Sequence, residues 1–246
     1  MLDVSGPIFY KHQLWGLQRQ NSFFDLPEDA LIELDRISLS RTFAPGERLF
    51  VEGEPIHELM IVSEGAAALT FSTPLGAVMM LGLSERGEVL GLSSALSGHG
   101  HEMAADALET TRVSAIRLSD FLGFLERFPS AAINAGTQLS HKVNRAYDKI
   151  RMIGPGLSVA QRLAGWLLRM QGNQSQQGGP ITIALTHERI AQLLGISRES
   201  VTRSLSDLRR RGALEIRGIQ YYIRDAEYLR SLISQTESTR TLRKAT

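Results

Sequence analysis

Residues 185–211 read LTHERIAQLLGISRESVTRSLSDLRRR and contain two short segments with helical spacing. Thr186 and Ser197 each precede a segment with helical spacing of apolar residues, and a hydroxyl side chain is favoured at the residue that caps a helix start. Gly195 lies between the two segments and predicts the end of the first helix. A short helix, a turn and a second helix reaching about Arg211 together predict a helix-turn-helix.

The second helix of this pair has two chemically different faces. Val201, Leu205 and Leu208 recur at steps of four and three, which predicts a buried face. The opposite face of its first turns is polar and consists of Arg198, Glu199, Thr202 and Arg203. In a helix-turn-helix this end of the second helix reaches base edges in the major groove of DNA. The sequence therefore predicts a recognition helix.

The residue types on that face fit both bases and phosphates. Arginine binds guanine as a bidentate donor and glutamate accepts from cytosine, so Glu199 and Arg203 are predicted to read neighbouring base pairs. Four further side chains lie near helix starts, where hydroxyl and N–H groups suit phosphates: Thr186, His187, Ser197 and Ser200. An ordinary surface ion pair between Glu199 and Arg203 is the alternative interpretation, and it leaves the division of the whole helix into two faces unexplained.

The residues around this pair complete a winged helix-turn-helix over residues 154–234. Residues 213–217 and 220–224 predict a β-hairpin, which forms the wing, and residues 225–233 predict a short closing helix. Residues 154–156 read Gly-Pro-Gly and predict a hinge, after which Ser158 is placed to cap the next helix. Residues 171–180 are polar and predict a loop, and residues 235–246 predict a disordered tail.

The N-terminal part has a different periodicity. A tail at residues 1–21 is followed by apolar residues at helical spacing over residues 23–40, and these predict a short amphipathic helix that starts after Pro27. From residue 41 to 118 the chain breaks into short apolar runs at 59–62, 67–71, 78–81 and 113–118, separated by glycine-bearing turns. Short strands at close spacing favour an antiparallel β-roll, predicted over residues 22–128. The predicted fold class is α+β.

A long helix is predicted at residues 129–153, where no proline interrupts the pattern after the first position. Its apolar residues alternate at steps of four and three and are Leu139, Val143, Ala146, Ile150 and Ile153. This spacing is typical of the seam between two paired helices, and it predicts a homodimer. Packing of the same stripe on its own roll is the alternative.

Composition separates the two parts. Residues 1–154 carry 13 Lys and Arg against 19 Asp and Glu, a charge of −6, whereas residues 155–246 carry 14 against 7, a charge of +7. A basic C-terminal part favours a polyanionic partner for that part alone. The absence of cysteine excludes disulfides, Cys-ligated iron–sulfur clusters and a cysteine nucleophile. No apolar run approaches the roughly 18 residues of a membrane helix or suits a signal peptide, so we expect a cytoplasmic protein without a membrane partner.

The order of roll, long helix and winged helix-turn-helix over residues 22–234 resembles the CRP/FNR family, which is typified by the cyclic-AMP receptor protein and the fumarate and nitrate reduction regulator. Similar stretches include Pro45-Gly46-Glu47, residues 61–65 (IVSEG), residues 87–91 (GEVLG) and, most specifically, residues 195–203 (GISRESVTR). The resemblance implies a homodimeric transcription regulator that binds palindromic promoter sites and works with RNA polymerase. It also implies that Arg198, Glu199 and Arg203 contact bases.

The effector pocket departs from the family pattern. Cyclic-nucleotide binders in this family resemble one another in a Gly-Glu pair that holds the ribose and a later Arg-Ser pair that holds the phosphate. Here Gly91 is followed by Leu92, Ser93 and Ser94, and residues 99–104 contain no arginine. A buried cyclic phosphate without a cation is costly, so we expect an effector other than cyclic AMP. The candidate lining residues of a pocket for it are Gly91, Leu92, Ser93, Ser94, Asn144 and Tyr147.

A metalloenzyme is the competing interpretation. His99 and His101 form a His-x-His pair in the predicted roll, as in cupins, where two imidazoles hold a metal. The nearest acids, Glu102 and Glu109, do not have the spacing by which cupins resemble one another, and Gly98 and Gly100 favour a turn. No catalytic triad, phosphate-binding glycine loop or paired acid stands out. We therefore expect no enzyme, no metal site and no cofactor.

Overall fold

A computed structural model describes residues 22–154, 156–174 and 179–243. Within them the chain divides into two compact units, one reaching Asp148 and the other beginning at Lys149. None of the described helices is both long and apolar enough to cross a membrane. The tail predicted for residues 1–21 lies outside the described residues.

The first unit contains the predicted roll. Its elements are α1 (Glu28–Arg36), β1 (Ser38–Phe43), β2 (Arg48–Phe50), β3 (Glu58–Glu64), β4 (Ala66–Ser72), β5 (Val78–Glu85), β6 (Val89–Leu90), α2 (Leu92–Ser97), β7 (Ala104–Ala107), β8 (Thr111–Arg117), α3 (Leu118–Arg127) and α4 (Pro129–Ile153), of which α4 continues into the second unit. The strands form two four-stranded sheets, in the orders β1-β8-β3-β6 and β2-β7-β4-β5. Every pair is antiparallel, as predicted.

The alternation of side chains along β3 organises two apolar clusters. Met60 and Val62 point between the two sheets, where they meet residues such as Leu69 and Ala105 of the other sheet. Leu59 and Ile61 point to the opposite face, where α1, α3 and the first turns of α4 cover the sheet. Because a strand has a period of two, one strand contributes to both clusters. The helices therefore pack on one side of the roll.

The helix predicted for residues 23–40 is wrong at its C-terminal end. Helix α1 ends at Arg36, and β1 begins at Ser38 and pairs with β8. Leu39 matches the helical spacing of the preceding residues but is exposed on this strand. The reason is tertiary, because β8 offers a complete ladder of hydrogen bonds to residues 38–43, and such pairing overrides a short local helical pattern.

The second unit contains α5 (Val159–Gln174), β9 (Ile181–Thr182), α6 (His187–Leu194), α7 (Arg198–Arg210), β10 (Leu214–Arg217), β11 (Gln220–Ile223) and α8 (Ala226–Arg243). Strands β10, β11 and β9 form a small sheet in that order. The helix-turn-helix and its wing are thus confirmed. Strand β9 was not predicted, since two residues are too few for a pattern.

Two predictions about the ends of segments fail in this unit. Helix α8 continues to Arg243, so the tail predicted to be disordered from residue 235 is helical up to that residue; residues 244–246 lie outside the described part. No proline or glycine interrupts residues 226–243, so nothing in the sequence stops the helix. Likewise α5 continues to Gln174 into the predicted polar loop, of which residues 175–178 are not described. Helix α4 ends at Ile153, at the predicted Gly-Pro-Gly stretch, whose Pro155 is not described.

Candidate nucleic-acid interface

Both helices of the helix-turn-helix begin at the predicted caps. The Thr186 hydroxyl accepts from the N–H of Arg189 at 3.2 Å, and the Ser197 hydroxyl accepts from the N–H of Ser200 at 3.2 Å. Gly195 ends α6 with a φ of +62°, a left-handed conformation that glycine adopts without strain. These caps satisfy backbone donors that a helix start leaves unpaired, and they fix where α7 begins.

The two faces of α7 are confirmed by burial. Val201, Leu205 and Leu208 are buried in the unit's core. The polar side chains of the first turns are exposed, and they are Arg198, Glu199, Thr202 and Arg203. A buried apolar base with an exposed polar end is the arrangement that a helix needs to be held rigidly while it enters a groove.

The start of α7 stabilises the ionised form of Glu199. The pKa of Glu199 is lowered chiefly by a hydrogen bond from its own backbone N–H, then by the Ser197 hydroxyl and by the nearby charges of Arg198 and Arg203. Glu199 is therefore ionised at neutral pH and acts only as an acceptor. Arg198 and Arg203 supply only donors. The end of α7 thus offers both hydrogen-bonding roles that a G·C pair requires in the major groove.

Four of the predicted site residues are engaged within the protein. The Thr202 hydroxyl donates to the carbonyl oxygen of Arg198 at 3.0 Å and lies 2.9 Å from Nδ1 of His187. The Ser197 hydroxyl donates to that of Ser200 at 3.0 Å. The structure therefore brings Thr202 together with His187 and Ser197 with Ser200. Thr202 serves the junction between α6 and α7.

The wing adds charged and aromatic side chains that the sequence analysis did not single out. Glu215 on β10 forms ion pairs with Arg217 and Arg224, at 2.6 and 2.7 Å. The guanidinium groups of the same two arginines lie 5.3 and 5.0 Å from the centre of the Tyr222 ring. An open groove of about 540 Å³ runs beside them and is lined by Arg209, Arg210 and Arg224 among others. The alternating residue pattern of the predicted hairpin was the sequence signal that could have identified these positions.

The predicted effector pocket is small and has other walls than expected. A cavity of about 40 Å³ is lined by Gly91, Leu92, Ser93 and Ser94, as predicted, and also by Phe50, His101 and Lys142. The Phe50 and His101 rings are stacked with centres 4.0 Å apart and planes 14° apart. Asn144 and Tyr147 do not line this cavity and are exposed, because they lie on the side of α4 away from Lys142. The structure does not bring these two residues to this cavity.

The face of α4 towards the roll is polar, which the sequence analysis missed. Gln138 accepts from the N–H of Val89 at 3.0 Å and donates to the carbonyl of Gly87 at 2.7 Å. Lys142 donates to the carbonyl of Val89 at 2.5 Å. Arg145 pairs with Glu88 at 3.0 Å. Gln138 and Lys142 thus satisfy the N–H and the carbonyl of Val89 in β6, the edge strand of its sheet. The spacing of the three residues, four and then three, was the signal that could have identified them.

Lys142 is a half-buried cation at the wall of this cavity, where the sequence analysis expected none. Burial lowers its pKa to about 8, and the negative charge of Glu88 acts in the opposite direction. The cavity therefore has a cation after all, supplied by α4 instead of the segment 99–104. Lys142 is bonded to the backbone of β6, and the remaining space is far below the roughly 300 Å³ of a small-molecule site. The small volume of the cavity, and not the lack of a positive charge, is therefore the argument against binding of a cyclic nucleotide.

The apolar seam of α4 differs in phase from the predicted one. Four large apolar side chains are exposed along one stripe: Ile133 (72%), Val143 (49%), Tyr147 (56%) and Ile150 (61%). Together with Gly136 and Ser140 they follow steps of three and four residues. Val143 and Ile150 belong to the predicted seam, whereas Leu139 packs against the core of the roll and Ala146 and Ile153 are half-buried. The predicted stripe mixed a core position with surface positions, since both recur at the same spacing.

The two histidines of the competing interpretation lie in different surroundings. His99 is exposed, and His101 is buried against Phe50, with its pKa lowered chiefly by burial. Among the described residues no three His, Cys, Asp or Glu side chains come close enough together to hold a metal ion.

Two family models match this chain. A Crp-like helix-turn-helix domain matches residues 161–232, and a cyclic nucleotide-binding domain matches residues 40–128. The fumarate and nitrate reduction regulatory protein of Salmonella typhimurium is 25% identical over 219 residues, 87% of each chain. The CRP-like cAMP-activated global transcriptional regulator of Mycobacterium tuberculosis is 26% identical over 216 residues, 87% of this chain and 96% of that protein.

A solved structure shares the fold at lower identity. The c-di-GMP-responsive global regulator of Xanthomonas campestris superposes with a TM-score of 0.71 at 19% identity, over 80% of this chain and 99% of that one. This likeness concerns the architecture of roll, long helix and helix-turn-helix.

Proposed function

Because this chain belongs to the CRP/FNR family of transcription regulators, we propose that it acts as a homodimer that binds inverted repeats in promoter DNA and regulates transcription together with RNA polymerase. The observation that carries the DNA-binding part is the capped start of α7. It combines a buried apolar face with exposed Arg198, Glu199 and Arg203, in a part of the chain with a charge of +7.

The dimer is supported by the exposed stripe on α4. Ile133, Val143, Tyr147 and Ile150 are large and apolar, and their spacing suits the seam between two parallel or nearly parallel helices. A twofold dimer places two α7 helices in successive major grooves on one side of the duplex. Half-sites are then inverted and about 10 bp apart from centre to centre.

The signal sensed by the roll is proposed to be other than cyclic AMP. The cavity of about 40 Å³ has room for a few water molecules, and the stacked Phe50 and His101 rings occupy its wall. A nucleotide would have to displace this stack and the bond between Lys142 and Val89. Ligands of this size need cavities of about 300 Å³ or more.

Selection from a pool of random duplexes tests the proposed function. The full-length protein is expected to enrich an inverted repeat with a G·C pair in each half-site, at the spacing given above. Enrichment of a single, unrepeated motif would overturn the dimeric mode, and the absence of any enriched motif would overturn sequence-specific DNA binding. Protein with Arg198, Glu199 and Arg203 all changed to alanine is the control and is expected to enrich nothing.

A further inference from the structure

The junction between α6 and α7 fixes the protonation of one histidine nitrogen. Nδ1 of His187 lies 2.9 Å from the Thr202 hydroxyl oxygen, and the same hydroxyl donates to the carbonyl oxygen of Arg198 at 3.0 Å. A threonine hydroxyl has one proton to donate, and a carbonyl oxygen has none. The Thr202 proton is therefore used towards Arg198, so the bond to His187 needs a proton on Nδ1.

This arrangement determines what the other ring nitrogen offers to solvent. A neutral imidazole has one N–H, which here is at Nδ1, so Nε2 of His187 then carries a lone pair and can only accept. In the imidazolium form both nitrogens donate. Nε2 thus changes from an acceptor into a charged donor when the ring takes up a proton.

The position of His187 points to the group that would use this change. It is the first residue of α6, directly after the Thr186 cap, and it is half-buried beside the exposed start of α7. Backbone phosphates bind at such helix starts in a helix-turn-helix. A phosphate oxygen is an acceptor, so it is repelled by a lone pair and bound by an imidazolium N–H.

We propose that His187 binds a DNA backbone phosphate in its imidazolium form, so that each subunit takes up one proton when it binds DNA. This inference rests on the proposed function, and it adds a proton to the binding reaction. Thr202 is a positioning residue in it, because it holds the ring by Nδ1 and leaves only Nε2 for the phosphate.

The charged residues around His187 are not expected to take up a proton in the same pH interval. Glu188 and Arg189 lie next to His187 on α6, and Arg198, Glu199 and Arg203 lie at the start of α7, which packs against it. Arg162 of α5 contacts the carbonyls of Leu194 and Gly195 at the far end of α6. Arginine and glutamate side chains ordinarily titrate above and below the interval from about pH 5.5 to 8.5, whereas histidine titrates within it.

DNA affinity measured across that interval at constant ionic strength tests the proposal. The full-length protein and its selected duplex are expected to lose up to about tenfold in affinity per pH unit for each half-site as pH rises, the limit for one linked proton. His187→Gln is expected to remove this dependence, and His99→Gln, an exposed histidine outside the second unit, to keep it. A flat profile for the wild type, or the same slope in His187→Gln, overturns the inference and leaves the proposed function standing. Absence of specific binding at every pH overturns both.

Variants at Thr202 separate this role from a merely structural one. Thr202→Val removes the oxygen that holds Nδ1–H, so the neutral ring is free to carry its proton on Nε2 and donate it to phosphate. We expect Thr202→Val to bind more tightly than wild type near pH 8.5 and to show a shallower slope, and Thr202→Ser to restore the wild-type profile. A uniform loss of affinity at all pH values in Thr202→Val overturns the positioning role.

The tautomer itself is observable without DNA. Nitrogen-15 spectra of the full-length protein with labelled histidine, assigned by comparison with His187→Gln, report which ring nitrogen carries the proton. At about pH 8.5 we expect the His187 signal of a neutral ring with its proton on Nδ1. A proton on Nε2 at that pH overturns the inference, whatever the DNA affinity does.

Discussion

The arginines at the start of α7 and the cations of α4 occupy opposite environments. Arg198 and Arg203 are exposed beside an ionised Glu199, whereas Lys142 and Arg145 are half-buried and bonded to the Val89 carbonyl of β6 and to the carboxylate of Glu88. An exposed charge keeps its hydration and is available to a partner, while a buried charge must be satisfied within the protein. The exposed arginines of α7 are therefore available to a partner, whereas the cations of α4 hold that helix against the roll.

The largest expected effect concerns the opposite face of α4. Val143→Asp combined with Ile150→Asp places four unpaired charges in the proposed dimer seam, and we expect the dimer dissociation constant to rise at least about a thousandfold, from a cost of roughly 4 kcal/mol or more. Sedimentation measures the dissociation constant. Glu126→Gln on the exposed surface of α3 is the control and should sediment as wild type. An unchanged dimer in the double variant would rule out this seam.

The second prediction concerns which exposed side chains of α7 contact bases and which contact phosphates. Arg203→Ala is expected to lose about 1 to 3 kcal/mol per half-site and to relax preference at one base pair, because a bidentate base contact carries sequence information. Ser200→Ala should weaken all sequences alike, since phosphates are the same at every step. Selection of bound duplexes by each variant gives the information at each position. Equal information everywhere for Arg203→Ala and wild type would mean that Arg203 reads no base.

A third prediction tests the cost of the buried charge. The pKa of Lys142 is lowered to about 8 in the folded state from an ordinary value of 10.5, so the folded protein binds fewer protons than the unfolded chain between these values. Stability should therefore rise with pH above about 8, and a gain of about 2 kcal/mol is expected between about pH 7.5 and 9.5. Lys142→Met lacks this contribution.

Urea unfolding of wild type and Lys142→Met at both pH values measures this difference, and other titrating groups cancel in it. The gain should be about 2 kcal/mol larger in the wild type than in the variant. Equal gains in the two proteins would show that Lys142 is solvated, and the contrast between the two units would then fail at this residue.

The smallest expected effect is the response to cyclic AMP. Because the cavity is about 40 Å³ and its wall is the Phe50–His101 stack, calorimetry should detect no binding of cyclic AMP, and DNA affinity should not change in its presence. Micromolar binding accompanied by tighter DNA binding would show that the roll opens to admit a nucleotide. The same titration with Phe50→Ala tests whether the stack is what closes the cavity.

Local patterns in the sequence determined the C-terminal unit. The caps at Thr186 and Ser197, the glycine turn and the two faces of α7 depend on interactions between residues three or four apart, and the chain itself specifies these. The strands of the roll around residues 58–72 and the span of α4 followed from periodicity in the same way. Local sequence patterns were therefore enough to predict the architecture and the exposed polar face of α7.

Contacts between segments that are far apart in the sequence depended on the tertiary fold. Leu39 became part of a strand because β8 pairs with it, and Leu139 became a core residue because the roll covers that side of α4. The bonds from Gln138 and Lys142 to β6 join residues about fifty positions apart, as does the contact between His101 and Phe50. A periodic stripe gives the spacing of a helix face but not the surface that it meets, and that surface decides whether the face is core, seam or polar anchor.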